Sequence, residues 1–287
     1  DRLKASDTFM LMATSQSVYA LLYADKTLTG NHEFMLKVMS INNDTFSYAA
    51  DTLKNNKDFM MAAVNLHRTP NDLFDSSQYQ MFLRVDDNEQ YPVDVVQVRS
   101  FSDTALAKDI EFMLYLMDRG VDAMSYAPYL LKNDKVFVMK AVAKNGNALY
   151  NVSRDLRKDE DVVMAAMRQC PDALEFASNT LKKNKNFLLL ALDDDALQFR
   201  FAHITLKADK NFVMEVVRTN PLELKYASDS MKQNKIIVET AMLSNTDAFR
   251  HAHVTLKKDA EFIKHLFHRN NFSGQLLVFA DTTLKSD

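Results

Sequence analysis

The chain has 287 residues, of which 47% are hydrophobic, and its formal net charge is −3. The acidic balance argues against a general nucleic-acid binder, which is usually basic. No apolar run approaches the roughly 18 residues of a membrane-spanning helix, and the single cysteine, Cys170, excludes a disulfide within the chain.

A hydrophobic anchor residue recurs with a spacing of 25 residues along most of the chain. A fixed period of this length is typical of stacked-repeat architectures. Three residues before each anchor stands a Ser, Asn or Asp, the residue types that cap helix N-termini. The anchors are Phe9, Phe34, Phe59, Phe112, Phe137, Val162, Phe187, Phe212, Ile237 and Phe262. The predicted caps are Ser6, Asn31, Asn56, Asp109, Asp134, Asp159, Asn184, Asp209, Asn234 and Asp259.

Each copy of the repeat is predicted to contain two helices. Apolar residues four and often five positions after the anchor give the first helix one apolar face, and a Gly or Pro, as at Gly146 and Pro221, marks the turn that follows. The second helix carries an aromatic–small pair such as Tyr226-Ala227. We expect roughly three turns in each helix. The chain is therefore predicted to be all-α, an α-solenoid of about eleven helix-turn-helix repeats resembling a tetratricopeptide superhelix, in a single array over 1–287.

The period is broken once, because Phe59 and Phe112 lie 53 residues apart, two periods plus three. We predict an irregular repeat or insertion over 68–100. A distorted helical repeat is favoured, because its second half keeps the repeat register, and a β-hairpin remains the alternative. The final copy, 259–287, has a longer turn and is predicted to be a C-terminal capping repeat.

Lysines recur at two positions of the repeat. In one interpretation the stacked lysines form a basic ridge for an acidic partner, anionic lipid or nucleic acid. In the other, which we favour, the first row closes the second helix, where cations are favoured. The first row is Lys54, Lys132, Lys182, Lys207, Lys232 and Lys257, and the second is Lys57, Lys135, Lys185, Lys210 and Lys235.

No motif for catalysis or cofactor binding stands out. The sequence has no Gly-rich phosphate loop, zincin motif, nucleophile elbow or Cys/His ligand set. His265 and His268 lie three apart, but a metal site would need further convergent ligands, and the run 193–195 of three aspartates is expected to be a solvated turn. We therefore predict no catalytic, cofactor-binding or metal-binding residue, and no enzymatic activity.

Positions that vary between copies are the better candidates for recognition, since repeats share their core and differ at their surface. They lie three and six residues past the anchor and on the second helix. The predicted partner-binding residues are Tyr115, Tyr129, Lys140, Arg154, Arg168, Arg200, His203, Glu215, Arg218 and Lys225.

The repeat resembles a known one. Its pattern is Asp-x-x-Phe-Val-Met-x-x-Val, then Pro-x-x-Leu-x-Tyr-Ala-Ser-x-x-Leu-Lys-x-Asp/Asn, and the clearest copy is 209–234. Similar 25-residue helical repeats of uncharacterised function occur in effector-like proteins of intracellular bacteria, notably Legionella. Some all-helical repeat proteins of Legionella, MesI among them, bind and restrain another effector, and this chain resembles them in size and architecture. The resemblance thus implies an effector or an effector regulator (a metaeffector), with a role in virulence.

The leading hypothesis is a non-enzymatic scaffold for protein–protein interaction, whose partner is a bacterial effector or a host protein. An enzyme with a cryptic site near 68–100 is one alternative, and binding of anionic lipid or nucleic acid through the lysine ridge is another. Nucleic acid is the less favoured partner because of the net charge. The chain begins at Asp1 without a visible signal peptide, so we expect a cytoplasmic location, in the bacterial cytosol or in the host cytosol after secretion.

Overall fold

The computed structural model describes residues 2–66, 73 and 104–270. All regular secondary structure in these residues is helical, and none of them lies in a strand. The predicted all-α, solenoid-like repeat fold is therefore confirmed. The predicted irregular segment 68–100, except for residue 73, and the final residues of the capping repeat, 271–287, lie outside the described residues.

The chain forms two compact units. The first unit holds residues 1–144 with 151–153, and the second holds residues 145–150 with 154–287. The boundary between them falls inside one repeat, after its first helix. Whether the whole chain behaves as the predicted single array stays a prediction.

Each described repeat begins with a helix of nine to eleven residues, which we call its long helix. The predicted first helices are thus confirmed in position and length. Their bounds are Asp7–Gln16, His32–Ile41, Lys57–Leu66, Ile110–Asp118, Lys135–Lys144, Glu160–Gln169, Lys185–Asp193, Lys210–Thr219, Lys235–Ser244 and Ala260–Asn270.

All ten predicted caps act as caps. In each long helix the cap side chain accepts a hydrogen bond from the backbone N–H of the anchor residue three positions later, at 2.7 to 3.4 Å. A helix leaves its first N–H groups without partners in the helix, and these side chains supply one. Each cap therefore fixes where its long helix starts.

The anchors form the core of the stack. The nine anchors from Phe34 to Phe262 are at most 3% exposed, whereas Phe9, in the first repeat, is 37% exposed. Burying such a side chain stabilises the fold by roughly 1.5–3 kcal/mol. The periodic burial explains why the anchor spacing was visible in the sequence.

The second half of the repeat differs from the prediction of one three-turn helix. In most described repeats it consists of a 3-10 segment followed by a short α-helix of four residues. Two α-helical turns take these places after Ile110–Asp118, and two 3-10 segments take them after Lys135–Lys144. The 3-10 segments are Val18–Tyr23, Asn43–Tyr48, Leu106–Lys108, Gly146–Asn151, Leu156–Lys158, Pro171–Phe176, Phe199–Phe201, Pro221–Tyr226 and Thr246–His251. The short helices are Lys26–Thr29, Asp51–Lys54, Ala123–Tyr126, Tyr129–Lys132, Asn179–Lys182, Ile204–Lys207, Asp229–Lys232 and Val254–Lys257.

The break between the two pieces has a tertiary cause. At Ser228 the backbone is extended, with φ −64° and ψ 158°. Its N–H makes no hydrogen bond within the helical segments of its own repeat. That N–H donates instead to the carbonyl of Lys207 in the preceding repeat, at 2.8 Å. Equivalent bonds join Asp25 to Lys4, Ala50 to Thr29, Ser153 to Lys132, Ser178 to Arg157, His203 to Lys182 and His253 to Lys232. The break thus links neighbouring repeats through their backbones.

The long helices on either side of residues 67–103 contact each other directly. Lys57 Nζ lies 2.8 Å from the Asp109 carboxylate, and Tyr115 Oη donates to the Met61 carbonyl at 3.1 Å. The same ion pair joins consecutive long helices elsewhere, between Lys185 and Asp209 and between Lys235 and Asp259. These two long helices therefore contact each other as consecutive long helices do elsewhere in the chain.

Candidate binding surface

The first lysine row is part of the scaffold. In five described repeats the lysine Nζ donates to a backbone carbonyl seven residues earlier, at the end of the preceding 3-10 segment. Burial lowers the pKa of these lysines, in the case of Lys54 to about 8. The contacts support the structural interpretation of the row. The bonds join Lys54 to Ser47, Lys132 to Ser125, Lys182 to Glu175, Lys207 to Arg200 and Lys257 to Arg250, at 2.6 to 3.0 Å.

The second lysine row connects repeats. Lys185 and Lys235 each pair with the capping aspartate of the next long helix, Asp209 and Asp259, at 2.9 and 2.7 Å. The hydrogen bond from Lys185, together with the one from the Phe212 N–H, lowers the pKa of Asp209. These lysines therefore act in packing one repeat against the next.

Eight described repeats share one surface position, the penultimate residue of the 3-10 segment, or of the α-helical turn in its place, that precedes the break. In five of them the carbonyl at this position receives the lysine. We call this residue the column residue of its repeat, and it is exposed in all of them but Ser47. Because the lysine binds only the carbonyl, the side chain of the column residue is free to differ. The column residues are Leu22, Ser47, Ser125, Tyr150, Glu175, Arg200, Lys225 and Arg250.

Three consecutive repeats of the second unit place two cations side by side, one from the column and one from the lysine row. Their 3-10 segments pack against one another. We call these six side chains the basic face. They are Arg200 with Lys207, Lys225 with Lys232, and Arg250 with Lys257.

Two titratable groups lie among the cations of the basic face. Burial lowers the pKa of His251, and Arg250, Lys225, Lys257 and Lys232 lower it further. The four cations therefore lie close enough to one imidazole to disfavour its protonation.

Glu223 lies near the remaining cations of the face, Arg200 and Lys207. Burial raises the pKa of this carboxyl, while Lys225, Arg200 and Lys207 act in the opposite direction, as does a hydrogen bond from the Phe199 N–H at 3.2 Å. Lys225 is thus near both His251 and Glu223, so all six cations belong to one surface.

Carboxylates accompany the cations on this surface. Arg200 pairs with Asp172 at 2.5 Å and its guanidinium lies 4.5 Å from the centre of the Phe201 ring. Lys225 lies at the same distance from the Tyr226 ring. The other ion pairs are Lys225–Glu223 at 3.9 Å, Lys232–Asp229 at 4.0 Å and Arg250–Asp247 at 3.2 Å. The surface is therefore positive overall but alternates in sign.

The other predicted partner-binding residues are dispersed. Tyr129, Lys140 and Arg154 are exposed. Arg168 pairs with Asp194 at 2.6 Å, inside the predicted aspartate turn.

Three further candidates make contacts within or between repeats. Glu215 and Arg218 pair on one long helix at 2.8 Å. Tyr115 contacts the preceding long helix, as described above.

His203 has a local role. Its Nδ1 accepts the Thr205 N–H at 3.3 Å and so caps the short helix Ile204–Lys207. Burial, and to a lesser degree Lys183, lowers its pKa. Of the ten candidates, only Arg200 and Lys225 are brought together on the basic face. Arg250 was missed, although it occupies the same slot of the 25-residue period as these two.

Residues 2–66, 73 and 104–270 contain no group of three or more His, Cys, Asp or Glu placed to hold a metal ion. Within the same ranges, no helix has the length and apolar character needed to cross a membrane.

A family model described as a domain of unknown function, DUF4116, matches residues 31–74, 109–157, 159–207 and 209–257. These segments cover more than half of the chain. The chain belongs to the DUF4116 family. Each of the last three DUF4116 segments contains two long helices, and the basic face lies on the final two segments. Comparisons with curated proteins and with solved structures gave no match.

Proposed function

We propose that this DUF4116 protein is a non-enzymatic scaffold that binds another protein. The observation that carries the proposal is the surface column, whose residues share one backbone position and differ in chemistry from Ser125 to Glu175 to Arg250. Repeat proteins that recognise large partners vary exposed side chains on a constant framework in this way. The anchors, the caps and most lysines of the two rows are instead engaged in packing and in bonds within the fold.

A narrower proposal concerns the setting. The resemblance of the repeat to those of effector-like proteins in intracellular bacteria supports a bacterial effector, or a regulator that binds another effector. The partner would then be an effector or a host protein, met in the bacterial or the host cytoplasm. An enzyme with a site near 68–100 remains the alternative, and that segment lies outside the described residues.

Affinity capture from bacterial and host lysates, followed by binding of the purified captured protein, tests the proposal. We expect a direct complex of defined stoichiometry by isothermal titration calorimetry and analytical ultracentrifugation. Mass spectrometry of both proteins after prolonged incubation should show no chemical change. The proposal fails if no purified protein binds directly, or if either protein or an added metabolite is converted.

Surface variants locate the contact. Alanine at Tyr129, Lys140 and Arg154 tests one group of candidates, alanine at Arg168, Glu215 and Arg218 tests a second, and alanine at Arg200 and Lys225 tests a third. Loss of affinity by at least about tenfold in one group and not in the others is the outcome expected of a specific interface, whose energy is concentrated in few residues.

A further inference from the structure

Three adjacent repeats differ from the earlier described ones in the charge that they present beside the lysine row. In the earlier described repeats the column residue is apolar, a serine, a tyrosine or an acid: Leu22, Ser47, Ser125, Tyr150 and Glu175. In the three adjacent repeats it is Arg200, Lys225 and Arg250. Core packing does not require this change, since the side chains of Arg200, Lys225 and Arg250 are exposed and the lysines bond only to the carbonyls of Arg200 and Arg250.

The cations of the basic face are held in place before any partner arrives. Lys207 and Lys257 each donate to the carbonyl of the column residue of their own repeat, at 2.6 Å. Arg200 is held by Asp172 and by the Phe201 ring. Side chains that are already ordered lose less conformational entropy on binding, so this surface is prepared for a charged ligand.

The spacing of charge on the face decides between classes of anionic partner. The carboxylates of Asp172, Asp229 and Asp247 lie within 4.0 Å of face cations. A nucleic-acid backbone or an anionic membrane presents a nearly uniform negative charge, which these carboxylates would repel. A polypeptide can place carboxylates opposite the cations and backbone N–H or hydroxyl donors opposite the acids.

We infer that the basic face is the docking site for an acidic segment of a partner protein, in which Asp and Glu side chains meet Arg200, Lys225 and Arg250. The inference rests on the proposed scaffold function and specifies the chemistry of the partner. Arginine suits the role because its guanidinium can bind a carboxylate through two parallel hydrogen bonds. Three repeats in succession provide several such contacts along one extended segment.

A model ligand tests the inference on the full chain. The probe is a fluorescein-labelled peptide of about 20 residues in which glutamate alternates with serine, followed by fluorescence anisotropy at low ionic strength, where surface attraction is least screened. We expect saturable binding to the wild type. We expect at least about tenfold weaker binding to the triple variant Arg200→Glu, Lys225→Glu, Arg250→Glu, because charge reversal replaces attraction by repulsion.

A matched control separates the face from net charge. The triple variant Lys183→Glu, Lys210→Glu, Lys264→Glu makes the same change of charge at exposed positions of the same unit, and its affinity should change by less than about threefold. If charge reversal disturbs the fold, the neutral variant Arg200→Gln, Lys225→Gln, Arg250→Gln takes its place. We expect this variant to lose affinity to an intermediate degree. Circular dichroism confirms that each variant is folded.

Several results would overturn the inference. Equal losses in the face and control variants would show attraction by net charge alone, and absence of any saturable binding would remove the site. Tighter face-dependent binding of an oligothymidylate, or of vesicles containing phosphatidylserine, would assign the face to nucleic acid or to membrane. If a captured partner binds the face-reversed variant as well as the wild type, the inference fails while the scaffold function stands.

Discussion

The column of the first unit and the column of the last three repeats have the same backbone and different surfaces. In both regions a lysine donates to the carbonyl of the column residue, as Lys54 does to Ser47 and Lys257 to Arg250. The side chain at that position is a serine in one case and an arginine in the other. A bond to a carbonyl therefore constrains the backbone and leaves the side chain available for recognition.

The lysine itself differs in its surroundings between the two regions. Lys54 is 6% exposed, and its Nζ lies 5.6 Å from the centre of the Phe46 ring. Lys257 is half-buried and belongs to the basic face. The same bond is therefore internal in the first unit and part of a charged surface in the second.

The largest expected effect tests whether the two units share one type of core. Phe59 and Phe212 are both fully buried, and each contacts a second ring, Phe46 and Phe199. Replacing either by alanine should reduce the free energy of unfolding by about 3–5 kcal/mol, measured by urea denaturation. Phe9→Ala, at the more exposed first anchor, should cost much less. If Phe59→Ala reduced the free energy of unfolding as little as Phe9→Ala, the two units would not share one type of core.

The next effect distinguishes the internal lysine from the surface one. The pKa of Lys54 is lowered from 10.5 to about 8 by burial, so folding releases a proton between these two pH values. Stability should therefore rise with pH across this window, by about 3 kcal/mol for this group. In urea denaturation the rise should be smaller in Lys54→Met than in the wild type by this amount. Lys257→Met, at the less buried position, should change the pH dependence less; an equal change would contradict the contrast.

A smaller effect concerns Glu223, the buried acid beneath the basic face. Its carboxylate accepts the Phe199 N–H, so Glu223→Ala should lose about 1–3 kcal/mol in thermal or urea unfolding. Glu223→Gln keeps an acceptor without the charge. Because burial raises the pKa of Glu223 in the folded state, the wild type loses stability as the pH rises through the pKa of the folded state. At neutral pH, Glu223→Gln should be more stable than Glu223→Ala. A Gln variant as unstable as the Ala variant would contradict this account.

The smallest effect compares a turn position shared by both units. Asp195 has a φ of 55° and Gly120 a φ of 78°, each just after a long helix. Glycine tolerates this conformation, so Asp195→Gly should raise stability by about 0.5–1 kcal/mol, whereas Gly120→Ala should lower it by about 1 kcal/mol. Differential scanning calorimetry measures both, and a lower melting temperature for Asp195→Gly would show that its carboxylate has another role in the turn.

Local features were the easiest to predict from the sequence. The caps from Ser6 to Asp259 and the anchors from Phe34 to Phe262 were identified because each depends on residues three to five positions apart within one helix. The site was predicted only in part, through Arg200 and Lys225, because exposure cannot be read from one repeat without its neighbours.

The sequence by itself determined the helical class, the period and the start of every described long helix, since burial and capping repeat with the chain. Only the tertiary structure decided how the second half of the repeat is divided. The N–H groups of residues such as Ser228 bond to the preceding repeat rather than to their own helix, and no local pattern specifies that choice. Tertiary packing likewise decided that Lys54 is internal while Lys257 joins Arg250 at the surface, because stacking places residues 25 apart in the chain side by side.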